Sequence, residues 1–271
     1  MTEIGDSKGE YRGIVYRNDS ELKQWLGKRP PEAALDSLLP IIDPHHHLWD
    51  TPQRGSYFLP DLLADIGGGH NIVATVFLEC QSMYRRHGPA EMAPVGEVEF
   101  VNGIAAMSAS GNYGPCRVAE GIIGYADLRL GARVRDVLEA EIAAGGGRFR
   151  GIRQGVAWDA DPSVGKFASR SVPGHLVRDD RFREGFAQLA KLGLSFESWQ
   201  YHPQLVDAID PVLGSRHHHR IEARRLGLAY HMWHVEFIRN QRPNRKARRT
   251  FGPHPRTWKS ARTKLARTWR M

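Results

Sequence analysis

Three histidines follow a short apolar run near the start of the chain, and their spacing could hold a metal ion. The run 41–44, Ile-Ile-Asp-Pro, leads directly into His45, His46 and His47. Side chains alternate between the two faces of a β-strand, so His45 and His47 are predicted on one face and His46 on the other. Two imidazoles on one face can chelate a divalent cation such as zinc, iron or nickel. The alternative is a polar strand end whose histidines face solvent.

The elements that must position these histidines follow an alternating pattern. Apolar, β-branched runs over 41–43, 72–79, 119–128, 149–158 and 194–199 predict five strands. Helical spacing over 98–108, 132–144 and 181–192 falls between them, which is typical of a parallel sheet covered by helices. This α/β pattern fits either a doubly wound sheet or part of a TIM-type (β/α)8 barrel.

Polar residues at the ends of the predicted strands favour the partial barrel of about five βα units. In chain order these residues are His45 and His47, then Glu79, Asp127, Arg153 and His202. The carboxyl ends of parallel strands form the active face of such folds, so we expect these side chains to meet there. No glycine-rich phosphate loop follows the first strand, which argues against dinucleotide binding.

Composition and cysteine content indicate a cytoplasmic protein. The chain has 271 residues and two cysteines, Cys80 and Cys116, which give no disulfide framework and fit a reducing compartment. Cys80 is predicted to pack rather than to act as a nucleophile. The polar N-terminal segment does not resemble a signal peptide, and no apolar run is long enough to cross a bilayer. We therefore expect no membrane partner.

The net charge of +8 is distributed very unevenly along the chain. Of the 38 lysines and arginines, 16 lie in 211–271, against only two acidic residues there, Glu222 and Glu236. The first 210 residues therefore carry a charge of about −6 and the tail about +14, an asymmetry typical of a nucleic-acid or membrane arm. The tail is predicted to be irregular, without helical or strand periodicity.

Three motifs resemble the amidohydrolase-2 group of the amidohydrolase superfamily. They are Asp-Pro-His-His-His-Leu-Trp-Asp at 43–50, Phe-Arg-Gly-Ile-Arg at 149–153 and Tyr-His-Pro-Gln at 201–204. The resemblance covers roughly 39–209 and implies a distorted (β/α)8 barrel. Members of the group include lactonases acting on sugar lactones, muconolactone or pyrone-carboxylate compounds, as well as some decarboxylases. The implied substrate is a small carboxylated molecule.

The resemblance also implies roles for individual residues. His45 and His47 become the metal-ligand pair, and His202 a further ligand and catalytic residue, with zinc as the first candidate metal. Arg153 becomes a catalytic residue that also binds a substrate carboxylate, for which a guanidinium is well shaped. Glu79 and Asp127 are candidate substrate-binding residues. Structural alternatives stay open: His202 could cap a helix, Arg153 could form an ion pair with a helix on the barrel rim, and Glu79 could bind Arg153 instead of substrate.

The chain departs from the family pattern after Asp210, where the sixth and eighth barrel strands are missing. Read one nucleotide later, the codons of Arg216 to Arg225 can encode Asp-Thr-Thr-Ile-Val-Leu-Lys-His-Val-Gly, an apolar strand ending in His-x-Gly. We therefore hypothesise that the chain is out of frame from about Pro211. The nucleotide sequence across codons 205 to 230 tests this hypothesis.

These observations predict three regions: a leader segment (1–38), a partial amidohydrolase-like barrel (39–210) and a basic tail (211–271), out of frame and disordered. The expected function is hydrolysis of a lactone or related bond by water, crippled by loss of the last barrel strands. A family decarboxylase is one alternative. Another is a non-catalytic remnant whose tail binds nucleic acid through basic residues interleaved with Trp233, Trp258 and Trp269. Frame-shifted translation of a GC-rich gene also yields arginine-rich sequence, so we expect no nucleic-acid partner.

Overall fold

The fold is a mixed α/β structure built on one large sheet. The computed structural model describes residues 19–52, 55–161, 164, 170–204, 219–225 and 232–239. In chain order, the strands are β1 (Ile41–His46), β2 (Trp49–Thr51), β3 (Gly55–Tyr57), β4 (Ile72–Leu78), β5 (Arg117–Gly124), β6 (Phe149–Gly155), β7 (Ser195–Tyr201), β8 (His219–Arg225) and β9 (Met232–Arg239). Seven of them form the sheet in the order β1-β4-β5-β6-β7-β9-β8, and β2 and β3 form a separate hairpin.

Five parallel strands form the first part of this sheet. β1 pairs with β4, β4 with β5, β5 with β6 and β6 with β7, all in parallel. These are the five strands expected from the apolar runs, and together they curl into half a barrel. The predicted parallel α/β architecture is therefore confirmed, whereas its assignment to the TIM type stays a prediction.

Within the described ranges, five helices accompany these strands: α1 (Asp19–Leu26), α2 (Leu59–Ile66), α3 (Val95–Ala109), α4 (Val134–Ala144) and α5 (Asp180–Leu192). The Asp179 carboxylate caps α5 by accepting from the Phe182 amide, and Gly193 ends it with φ of +72°. α4 starts at Val134 rather than at 132 because a 3₁₀ segment, Leu128–Arg133, precedes it and turns sharply at Gly131. None of the described helices has the length and apolarity needed to cross a membrane.

The main core contains the buried faces of the helices and one face of the parallel sheet. Ile122 on β5, Ile152 on β6 and Phe196 on β7 belong to one buried cluster with Leu138 and Phe182. Phe196 meets the Phe182 ring edge-on, with ring centres 6.2 Å apart. Because strand side chains alternate, the residues between these positions stand on the opposite face of the sheet. That face carries Arg153 and Glu197 side by side, both half-buried.

The prediction of an irregular tail is wrong for two segments of the chain. β9 pairs antiparallel with β7, and β8 pairs antiparallel with β9. The signal that sequence reasoning missed is the alternation of Trp233, Val235 and Phe237 with other residues over 232–239, which is typical of a strand.

The predicted region boundaries fall largely outside the described residues. The boundary after Asp210 lies within 205–218, which the structure does not describe, as do 1–18 of the predicted leader. The described part of the leader contains α1. All described residues belong to a compact unit that ends at Arg239, and 240–271, which include the rest of the predicted tail, are not described.

Candidate functional site

His45 near the end of β1 and His47, which directly follows the strand, lie together on one face of the sheet. Their Nε2 atoms are 3.1 Å apart, and both side chains are half-buried. His46 points to the opposite face, where it is buried with its Nε2 atom 2.9 Å from the Thr75 hydroxyl and its ring edge-on to Phe77. The predicted alternation of the three imidazoles is therefore confirmed.

A backbone contact sets the tautomer of His47. Its Nδ1 atom lies 2.8 Å from the carbonyl oxygen of Leu78 on β4. Because a carbonyl oxygen only accepts, Nδ1 carries the hydrogen and donates it. In the neutral ring this leaves the Nε2 atom of His47 with a lone pair directed toward His45. Metal-ligating histidines typically donate their other ring nitrogen to a carbonyl or carboxylate in this way.

The geometry of this histidine pair fits a shared metal ion. Two nitrogens that each lie about 2.0–2.1 Å from one zinc ion stand roughly 3 Å apart, close to the distance between these Nε2 atoms. Among the residues that the structure describes, no group of three or more histidine, cysteine, aspartate or glutamate side chains is placed to hold a metal. A metal centre at this position would therefore need at least one ligand beyond the described pair.

His202, the predicted third ligand, directly follows the carboxyl end of β7. Its backbone opens a 3₁₀ turn, His202–Gln204, while its side chain lies outside what the structure describes. Gln204 fixes this turn to the end of β6: its Nε2 donates to the Val156 carbonyl (2.7 Å), and its Oε1 accepts from the Trp158 amide (3.0 Å). The roles of His202 as a ligand and as a catalytic residue stay predictions.

Glu79 and Arg153 are brought together at the carboxyl ends of β4 and β6. Glu79 is buried, and its Oε1 accepts from the Nε of Arg153 at 3.0 Å. The Nη2 of Arg153 also donates to the main-chain carbonyl of Glu79. The structural alternative left open for Glu79, an ion pair with Arg153, is therefore present. Substrate binding and catalysis by these two residues stay predictions.

A second arginine, Arg170, joins this pair and was missed by sequence reasoning. Its Nη2 donates to Glu79 Oε2 (3.2 Å) and to the Tyr84 hydroxyl (2.8 Å), and its guanidinium carbon lies 3.6 Å from the centre of the Tyr125 ring. Arg170 and Glu79 are 91 residues apart, so no local spacing could reveal the contact. Burial raises the pKa of both Tyr84 and Tyr125, so both phenols keep their protons at neutral pH. We call Glu79, Arg153, Arg170, Tyr84 and Tyr125 the arginine cluster.

Asp127, a predicted substrate-binding residue, pairs with Arg129 in the structure. Its two carboxylate oxygens accept from the Arg129 guanidinium at 2.6–3.0 Å, and Gln154 Nε2 donates to it at 3.2 Å. Burial acts to raise the pKa of Asp127, but the hydrogen bonds from Arg129 and Gln154 outweigh it and lower the pKa overall. Asp127 is therefore an ionised, paired carboxylate, and its predicted contact with substrate stays untested.

A buried acid on α3, Glu97, contacts the main chain that directly follows Glu79. Its Oε1 accepts from the amides of Cys80 (2.9 Å) and Ser82 (2.8 Å), whereas its Oε2 has no partner among the described residues. Burial, with the charge of Glu79 as the second cause, raises the pKa of Glu97 to about 7. Burial likewise raises the pKa of Cys80 to about 12, so this thiol is not a ready nucleophile, as predicted.

A cavity in the described part of the chain lies away from these residues. It has a volume of about 330 Å³ and is lined by the end of α3 and the start of β5, including Ser108, Cys116 and Glu120. The amino end of β5 is opposite the strand ends that carry Glu79 and Arg153. This cavity is therefore not part of the candidate site.

Comparisons with known proteins give one distant relative. It is the uncharacterized protein y4mH of Sinorhizobium fredii (strain NBRC 101917 / NGR234), with 28% identity over 195 residues. The match covers 64% of this chain and 58% of the relative, so the chain spans less than two thirds of that protein's length. No family model matches the chain, and no solved structure matches it.

Proposed function

We propose that this chain is an amidohydrolase-type hydrolase that opens a lactone or a related bond in a small carboxylated molecule, with water as the nucleophile. The observation that carries the proposal is the pair of converging Nε2 atoms on His45 and His47. A divalent cation held there, with zinc as the first candidate, would lower the pKa of water and polarise a substrate carbonyl. The proposed fold is a partial TIM-type barrel.

The chain's own residues would position the reactants. His45 and His47 supply two nitrogen ligands, and the Leu78 carbonyl holds His47 in the tautomer with its Nε2 lone pair available. His202 is the proposed third ligand and catalytic residue. Arg153 would orient the substrate carboxylate, with Glu79 fixing the plane of its guanidinium, and Asp127 would give a further polar contact. We propose that turnover is weak because residues of the family's sixth and eighth strands are missing from this frame.

Cobalt binding tests the proposed metal centre directly. We expect Co²⁺ to bind the full chain and give a visible absorption band, and we expect His45→Ala and His47→Ala each to weaken binding by about 100-fold or more. His87→Ala is the matched control, because His87 is exposed and lies in a loop. If all three variants bind cobalt as the parent chain does, β1 carries no metal centre.

Restoring the reading frame tests the proposed reaction separately. Where the nucleotide sequence contains the alternative frame, we expect the frame-restored chain to hydrolyse members of a lactone panel at least about 100-fold faster than the 271-residue chain. The rate measured with cobalt or zinc present is the readout. A frame-restored chain that binds metal but hydrolyses no lactone in the panel would overturn the hydrolase proposal and leave the metal centre standing.

A further inference from the structure

The arginine cluster carries more positive charge and more hydrogen-bond donors than its own contacts use. Arg153 and Arg170 both contact the single carboxylate of Glu79, and their side chains are only 14% and 19% exposed. A guanidinium has five N–H donors, and the described contacts use two on each arginine. The three charged groups in contact therefore leave one surplus positive charge beside several unused donors.

A net positive charge and unused N–H donors in a partly buried cluster lower the stability of the fold unless a ligand or water binds them. Buried donors without acceptors and charges without partners both lower stability. The Tyr84 hydroxyl oxygen accepts from Arg170, so its own hydrogen is available for another acceptor. Tyr125 lies flat beneath the Arg170 guanidinium and fixes its position through a cation–π contact. The unused donors are therefore held in place before any ligand arrives.

We infer that Arg153, Arg170 and Tyr84 form a binding site for a single carboxylate group, with Glu79 as the internal counterion that holds the two guanidiniums. The guanidinium fork matches the two oxygens of a carboxylate. This inference rests on the proposed function only in naming the carboxylate as part of a substrate. Binding of a simple carboxylate requires neither metal nor turnover.

The charges around the cluster favour a monoanion over a phosphate dianion. One carboxylate balances the surplus positive charge of the three groups in contact. A dianion would leave a net negative charge next to the buried carboxylate of Glu79 and the buried acid Glu97. We therefore expect benzoate to bind more tightly than inorganic phosphate.

Calorimetric titration of the full chain with benzoate and with inorganic phosphate, at low ionic strength, tests the site. We expect measurable benzoate binding that Arg170→Gln weakens by about 10-fold or more, since hydrogen bonds to charged groups are strong. Arg117→Gln is the matched control: it removes the same charge from an exposed ion pair at the opposite end of β5, and should leave the affinity unchanged. Absence of benzoate binding to the parent chain, or equal weakening by both variants, would overturn the inference.

Glu79→Gln keeps the inference testable if Arg170→Gln fails to fold. Removing the internal counterion raises the surplus charge, so benzoate should bind roughly 10-fold more tightly to this variant. A purely structural ion pair predicts no such gain, and unchanged or weaker binding would contradict the site. Cobalt binding and lactone hydrolysis are measured on the same samples. Hydrolysis without benzoate binding counts against this site alone, whereas benzoate binding without hydrolysis counts against the proposed reaction alone.

Discussion

Gly185→Ala is expected to lower the free energy of unfolding by about 3 kcal/mol, the upper part of the usual range for overpacking. Gly185 lies in α5, and a methyl group there would meet the carbonyl group of Leu128 and come within 3.0 Å of its Cα atom. These are backbone atoms at the start of the 3₁₀ segment before α4, so they cannot rotate away as a side-chain tip could. The substitution must therefore move α5 off this segment.

Gly103→Ala is the matched control for this prediction. Gly103 also lies within a helix, α3, but a methyl group there has nothing within 4 Å. Alanine favours the helical backbone over glycine, so this variant should gain about 0.5–1 kcal/mol. Urea unfolding followed by circular dichroism measures both changes. Equal stability of the two variants would show that α5 does not pack closely against Leu128.

Glu97→Gln is expected to remove a large part of the pH dependence of stability. In the unfolded chain this carboxyl has its ordinary pKa near 4.5, whereas burial raises the pKa to about 7 in the fold. Between these values the folded state keeps a proton that the unfolded state loses, so the stability of the parent chain falls as pH rises from 4.5 to 7. Above pH 7 the loss is complete and amounts to something on the order of 3 kcal/mol.

The glutamine variant should escape this loss. Its amide oxygen can still accept from the Cys80 and Ser82 amides, but the side chain has no charge to bury. Relative to the parent chain, Glu97→Gln should therefore gain stability as the pH rises from 4.5 to about 7, and the gain should then level off. Glu99→Gln is the control, because Glu99 lies on the same helix, is about half exposed and pairs with Arg85. A gain that does not grow with pH, or one that Glu99→Gln shares, would contradict a buried neutral acid at position 97.

The sequence predicted those parts of the site that depend on local periodicity. Alternation along β1 was enough to place His45 and His47 on one face, because the side-chain period of a strand is fixed by its backbone. The five parallel strands followed from apolar runs of the right length.

Contacts between distant segments could not be predicted in the same way. Arg170 reaches Glu79 across 91 residues, and nothing in the sequence around position 170 sets that arginine apart from the others. Glu97 lies just before the helical run predicted over 98–108, and no local pattern marks it, yet the fold buries it against the turn after β4. Both contacts depend on how βα units pack against each other. That packing cannot be inferred from the residues next to Arg170 or Glu97 in a single sequence.

The strand order at the far end of the sheet has a consequence for synthesis on the ribosome. After β1, each of the next four sheet strands pairs with the sheet strand made just before it, so these units can assemble as the chain emerges. β9 breaks this order, because it lies between β7 and β8 and is made after both. A nascent chain that has not yet reached Met232 therefore presents β7 as an unpaired edge, and β8 has no neighbour in the sheet. During that interval the edge of β7 is open to chaperones and to other nascent chains.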